Sequence, residues 1–107
     1  MNNKEIKITS KCPIRTCLEL LGGKWKLLIV YQLRSNPLRL SELRKQIPGI
    51  SEKMLIQELK FLVDSNLVTR TNFGEVPPRV EYSLTPKGHL AMPLIEEMNK
   101  FSAAYIS

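Results

Sequence analysis

A chain of 107 residues, 43% hydrophobic and 24% charged, has room for one folded domain with its own core and none for a second. Sixteen Lys and Arg against ten Asp and Glu leave a net charge of +6, a surface that concentrates polyanions, of which nucleic acid is the commonest. Two cysteines argue against a four-ligand zinc site or a disulfide framework. No apolar run reaches the length of a membrane span, and MNNKEIKITSK carries no apolar secretion signal, so the expected location is the cytoplasm.

Residues 1–11, with Lys4, Lys7 and Lys11, read as a flexible basic arm, and residues 12–107 as the folded domain. Pro13 suits the first turn of a helix, and Ile14, Cys17, Leu18 and Leu21 follow at helical spacing until Gly22-Gly23. A second helix is predicted from about Lys24 to Leu33. Trp25, Leu28, Ile29 and Leu33 form its stripe, and Leu27, Val30 and Tyr31 make it apolar nearly all round, the mark of a central buried helix. After Ser35-Asn36-Pro37 comes a short helix capped by Ser41, with Leu40, Leu43 and Ile47 on one side, ended by Pro48-Gly49.

Ser51 is the expected N-cap of a longer helix running to about Asn66, with Ile50 and Leu55 as a hydrophobic staple and Glu52 favoured by the helix dipole. At about 100° per residue, Leu55, Ile56, Leu59, Leu62 and Val63 gather on one side and Lys53, Gln57, Lys60 and Asp64 on the other. Two strands are predicted over Leu67–Phe73 and Arg79–Leu84, the second alternating Val80, Tyr82 and Leu84 with Arg79, Glu81 and Ser83. Thr85-Pro86 then caps a last helix, which Pro93 should kink or split, with Leu94, Met98, Phe101 and Tyr105 along its seam.

A short helix and a longer one joined by Ile47-Pro48-Gly49-Ile50 form a helix-turn-helix, and the hairpin after it is a wing. The expected fold is α+β and mostly helical: a winged helix-turn-helix with a two-stranded wing, flanked by N- and C-terminal dimerisation helices. A helix of ordinary width fits a DNA major groove if its outer side carries donors and acceptors rather than acids. Ser51, Lys53, Met54, Gln57 and Lys60 are the candidates there, while Glu58 and Asp64 fall away from that side or at its rim. On an isolated helix the same lysines and glutamine would simply be solvated. Cap, turn and hairpin in this order tip the reading to nucleic acid. The alternative left open is a winged helix that binds protein and no DNA. Arg70 and Arg79 are placed to reach phosphate or the minor groove from the wing, against the alternative of a cross-strand ion pair with Glu81.

Cys12-Pro13, Gly22-Gly23-Lys24-Trp25, Leu40-Ser41-Glu42-Leu43 and Pro48-Gly49-Ile50-Ser51-Glu52-Lys53-Met54-Leu55 resemble the HxlR family of bacterial regulators. So do Asn66-Leu67-Val68-Thr69-Arg70 and Val76-Pro77-Pro78-Arg79-Val80-Glu81-Tyr82-Ser83-Leu84-Thr85. The resemblance covers residues 12–105. It implies a transcriptional regulator that binds a pseudo-palindromic operator in double-stranded DNA as a homodimer, with terminal helices at the dimer interface. Ile14, Leu18, Leu94, Met98, Phe101 and Tyr105 are the interface candidates. Asn66 stands where many relatives carry glycine, and both residues tolerate a left-handed helix end.

Some members of that family sense electrophiles or oxidants through a cysteine just before this proline, which makes Cys12 the redox-sensing candidate. Its setting at a helix N-terminus beside Lys11 and Arg15 is one that makes a thiol reactive. The alternative is a Cys12 with no regulatory role. Cys17 reads as a small core thiol. Five residues apart on a helix, Cα atoms are about 8 Å apart, too far for a disulfide between Cys12 and Cys17. His89, the one histidine, is expected at the surface of the last helix's first turn. Neither a phosphate-cradling glycine loop nor a nucleophile elbow nor a catalytic carboxylate pair occurs, so no enzyme, cofactor or metal is expected.

Overall fold

The computed structural model describes residues 11–107; all of the expected basic arm but Lys11 lies outside them. The element order is α1 (Pro13–Leu21), α2 (Lys26–Gln32), α3 (Leu40–Gln46), α4 (Glu52–Asp64), β1 (Val68–Asn72), β2 (Val80–Leu84), α5 (Pro86–His89) and α6 (Ala91–Ile106). None of these helices is long and apolar enough to cross a membrane. Ile29, Val30 and Leu33 of the α2 segment meet Leu43, Leu55, Leu59 and Leu62 in one apolar cluster, closed by Ile47, Ile50, Leu67 and Val68.

Helix α2 is less enclosed than its composition suggests. Ile29 and Val30 are fully buried, but Leu28 and Tyr31 face outward beside Ile95 and Met98 of α6. A small domain has only one core, so a helix apolar all round keeps one side uncovered unless a second body lies there. Ser41 is not the cap of α3: the helix opens at Arg39, whose backbone N–H donates to the Glu42 carboxylate at 2.7 Å. Ser51 does cap α4, its hydroxyl accepting from the Met54 N–H at 3.1 Å, and Ile50 and Leu55 are both buried. Between these helices Gly49 takes a φ of +86°, a left-handed conformation that suits glycine and sets the angle of the turn.

Helix α4 ends in a Schellman motif. Asn66 has a φ of +63°, the Leu67 N–H donates to the Leu62 carbonyl at 2.9 Å, and the Asn66 N–H donates to the Val63 carbonyl at 3.0 Å. Strands β1 and β2 pair antiparallel, Arg70 opposite Tyr82 and Thr71 opposite Glu81. Leu38, just past Pro37, adds a bridge on the other edge of β2, exchanging backbone bonds with Tyr82 at 2.8 and 2.9 Å. With neighbours on both edges, β2 is half-buried along its whole length instead of alternating in and out as predicted.

The chain after the wing is split as Pro93 suggested. A one-turn α5 precedes α6, and Pro93 falls in the first turn of α6, where its missing N–H costs nothing. Thr85 ties this region to α4: its hydroxyl donates to the Asn66 carbonyl at 2.8 Å and accepts from the buried Gly88 N–H at 3.0 Å. Gly88 packs so close to the Leu67 carbonyl that any side chain would collide with it. Thr85→Val keeps the volume but leaves that amide and that carbonyl unpaired. It is expected to cost about 2–3 kcal/mol, a fall in Tm of about 10 °C at fixed protein concentration. Differential scanning calorimetry showing an unchanged Tm would remove Thr85 from this role.

Candidate nucleic-acid interface

The core side of α4 is fixed by Leu55, Leu59 and Leu62, each no more than 1% exposed. Glu58 flanks them and turns inward, forming an ion pair with Lys26 of α2 at 2.7 Å in which both side chains are more than four-fifths buried. The Lys26 ammonium also lies 4.6 Å from the Phe61 ring centre. These contacts fix the rotation of α4 about its axis, and with it the side that faces out.

That outward side carries Lys53, Gln57 and Lys60, all exposed, with Ser51 exposed at the helix start. Lys60 reaches Asp64 one turn on at 3.3 Å, a surface pair worth a few tenths of a kcal/mol and easily exchanged for another anion. Met54 does not join them. Its backbone N–H serves the cap, and its side chain is half-buried against the core. Ile56, by contrast, was expected with the core leucines and lies 47% exposed beside the lysines. Its angle puts it at the border between the two sides, and there the core already has Leu55 and Leu59.

Sequence reading did not single out the cations of the α3 segment. Arg39, Arg44 and Lys45 are exposed there, and Arg44 meets Glu52 across the turn at 3.5 Å. Leu40, Ser41, Arg44, Lys45 and Glu52 line a shallow cleft of about 450 Å³ between α3 and the start of α4. The only signal available was the density of cations in residues 39–45, and no helical register could say which of them point outward. On the wing, Arg70 is exposed in β1. Arg79 is held instead: it meets Glu75 at 3.2 Å, not Glu81, and its guanidinium lies 3.9 Å from the Phe73 ring centre. It braces the wing loop from Phe73 round to the start of β2.

Away from this face, Cys12 is exposed at the N-cap of α1, and Cys17 is half-buried on the wall of an apolar groove shared with Leu20, Leu67, Leu90 and Leu94. Ile14 and Leu18 share the α1 stripe with Cys17 in sequence but lie outside, exposed. His89 ends α5, exposed, with Nδ1 3.1 Å from the Thr85 carbonyl. Every residue from Glu96 to Ser107 is exposed, including Met98, Phe101 and Tyr105, while Leu94 is half-buried against the core. Phe101 and Tyr105 stack on each other, ring centres 6.1 Å apart.

A short helix, a glycine turn, a second helix rotated cation-side out and a two-stranded hairpin define the protein as a winged helix-turn-helix. Comparison with known proteins narrows the class. The HxlR-like helix-turn-helix family matches residues 20–107. The HTH-type transcriptional regulator YkvN of Bacillus subtilis is 44% identical over 94 residues, 88% of this chain and 80% of its own length. A structure described as a MarR-family transcriptional regulator from Porphyromonas gingivalis W83 superposes with a TM-score of 0.83 at 48% identity, covering 94% of this chain and 97% of that one. The redox regulator HypR, in its oxidized form, superposes with a TM-score of 0.81 at 34% identity, covering 87% of this chain and 96% of its own. The chain belongs to the HxlR family, and it is a transcriptional regulator of the winged-helix type.

Proposed function

We propose that the protein binds a pseudo-palindromic operator in double-stranded DNA as a homodimer, and that modification of Cys12 by an oxidant or electrophile changes that binding. The observation that carries the DNA reading is the rotation of α4: leucines and the Lys26–Glu58 pair inward, Lys53, Gln57 and Lys60 outward. In this reading each subunit lays α4 in a major groove. Gln57 and the two lysines meet base edges and phosphates there, and Ser51 sits where the helix begins. Arg70 on the wing reaches the backbone or minor groove. Arg79 acts chiefly by holding the wing in shape, since its charge is already met by Glu75. Arg39, Arg44 and Lys45 on α3 add phosphate contacts, as the first helix of this motif crosses the backbone.

The thiol reading rests on the exposure of Cys12 at the start of α1 and on the likeness to HypR, itself a redox regulator. Ile14, Leu18, Met98, Phe101 and Tyr105, exposed apolar side chains on the two terminal helices, supply the dimer surface. Leu94 supports it from the half-buried end of α6.

Selection of bound sequences from a random duplex pool, with and without diamide, tests the whole proposal. The expected product is an inverted repeat with half-sites about one helical turn apart. Diamide is expected to change its affinity at least tenfold in the wild type and not in Cys12→Ser. A pool that enriches nothing overturns the DNA reading. An identical diamide response in Cys12→Ser overturns the sensor reading alone, and so does alkylation of Cys17 ahead of Cys12.

A further inference from the structure

Ile56 is the one exposed apolar side chain on α4, and it is out of place by the logic of the core. It lies between Lys53 one turn before and Lys60 one turn after, with Gln57 next to it in sequence, so it shares their outward surface instead of the leucine side. At about 100° per residue its direction falls about 60° from that of Lys53 and about 40° from that of Lys60. A single exposed isoleucine elsewhere on a protein needs no explanation. Here it lies within the surface proposed to enter a major groove, where a side chain entering the groove is desolvated and must meet something.

What it can meet is restricted by chemistry. Isoleucine has neither donor nor acceptor. Opposite guanine, adenine or cytosine it would cover polar base edges and leave them unpaired. Thymine alone offers an apolar group in the major groove, its C5-methyl. The contact is therefore selective in two ways, by apolar burial against thymine and by lost hydration against the other bases. The branched Cβ adds to this: in a helix isoleucine is nearly confined to one χ1 rotamer, so little freedom is lost when the side chain is fixed against a base.

We propose that Ile56 reads the C5-methyl group of a thymine in each half-site, beside the bases met by Lys53 and Gln57. The inference rests on the DNA-binding reading and makes it specific: the operator carries a thymine at a fixed place in each half-site, set there by an apolar residue of the recognition helix.

The test uses full-length wild type, Ile56→Ala and Ile56→Ser, and the duplex enriched from the random pool. Each thymine of the half-site is replaced in turn by deoxyuridine, which lacks only the methyl. One position, in both half-sites, is expected to stand out. Wild-type affinity should fall about fourfold when one half-site loses that methyl and about fifteenfold when both do, the size of burying one methyl or two. Both variants should bind the thymine and deoxyuridine duplexes equally well. Since the side chain is already half in solvent, the variants should lose only about 1 kcal/mol, a few degrees in Tm, and agreement between the two guards against one of them misfolding. The inference is overturned if the selected half-site has no invariant thymine, or if the deoxyuridine scan of the variants matches that of the wild type. A pool that enriches nothing overturns it together with the DNA reading, and so is told apart from the other two outcomes.

Discussion

Replacing Lys53, Gln57 and Lys60 together with alanine is expected to abolish specific operator binding, a loss of at least about a thousandfold, while the fold survives. The loss has two parts of different character. In the proposed complex each lysine neutralises a phosphate, so a dimer would lose four such charges. The slope of log affinity against log salt should shrink by about 3–4. In the same complex Gln57 would supply base-edge hydrogen bonds worth about 1–3 kcal/mol in each half-site, a part that does not depend on salt. Measuring affinity from 50 to 300 mM salt separates them: Gln57→Ala alone should lower every point without changing the slope. All three side chains are exposed, and the ion pair lost between Lys60 and Asp64 is a weak one, so the Tm should move by no more than 2–3 °C. Normal heparin retention and normal gel shifts in the triple variant would mean that α4 is not the recognition helix.

That experiment depends on a rotation, and the rotation shows what periodicity can and cannot give. The elements, their order and the outward placing of Lys53, Gln57 and Lys60 were legible because they follow from local chemistry: a serine cap, a proline-glycine turn, a leucine repeat, an asparagine that tolerates a left-handed end. Ile56 was not. A helical wheel assigns residues near the border of the apolar side to the core, but how wide that side is depends on what packs against it. Here α2 supplies Lys26 to one flank of α4 and leaves Ile56 uncovered at the other. The same holds for Leu28 and Tyr31 of α2, apolar enough to read as core and yet outside. The Leu38 bridge to β2 was hidden for another reason: one residue of strand after a proline leaves no period to detect. The Glu75 partner of Arg79, in place of the Glu81 alternative, was not legible because the loop between the strands brings Glu75 back to Arg79, and loop paths are not written in alternation.

The uncovered residues also bear on assembly, and the second large effect is expected there. Phe101 and Tyr105 are 71% and 80% exposed, stacked on each other at the end of a helix whose buried and half-buried residues all lie in its first half. Two aromatic rings, with Met98 one turn before them, form an apolar surface that water disfavours and that a second copy of the helix can cover. Phe101→Asp with Tyr105→Asp places two charges in that seam, where pairing would bury them unmatched. Sedimentation at micromolar concentration should show the wild type as a dimer and the double variant as a monomer. The monomer should keep its helical circular dichroism, since these side chains contribute little to the subunit's own core. DNA binding should then fall far more than any direct contact could explain, because α6 is not part of the α3–α4 face. Joining two half-site binders makes the second contact intramolecular, at an effective concentration that raises affinity about 10²–10⁴-fold, and a monomer forfeits that factor whole. The loss should be recovered by fusing the double variant to an unrelated dimerisation segment, which separates a failure to pair from a failure to recognise. A double variant that still sediments as a dimer, or a wild type that is already monomeric, would move the subunit contact elsewhere, with the Leu28–Tyr31 side of α2 the next surface to test.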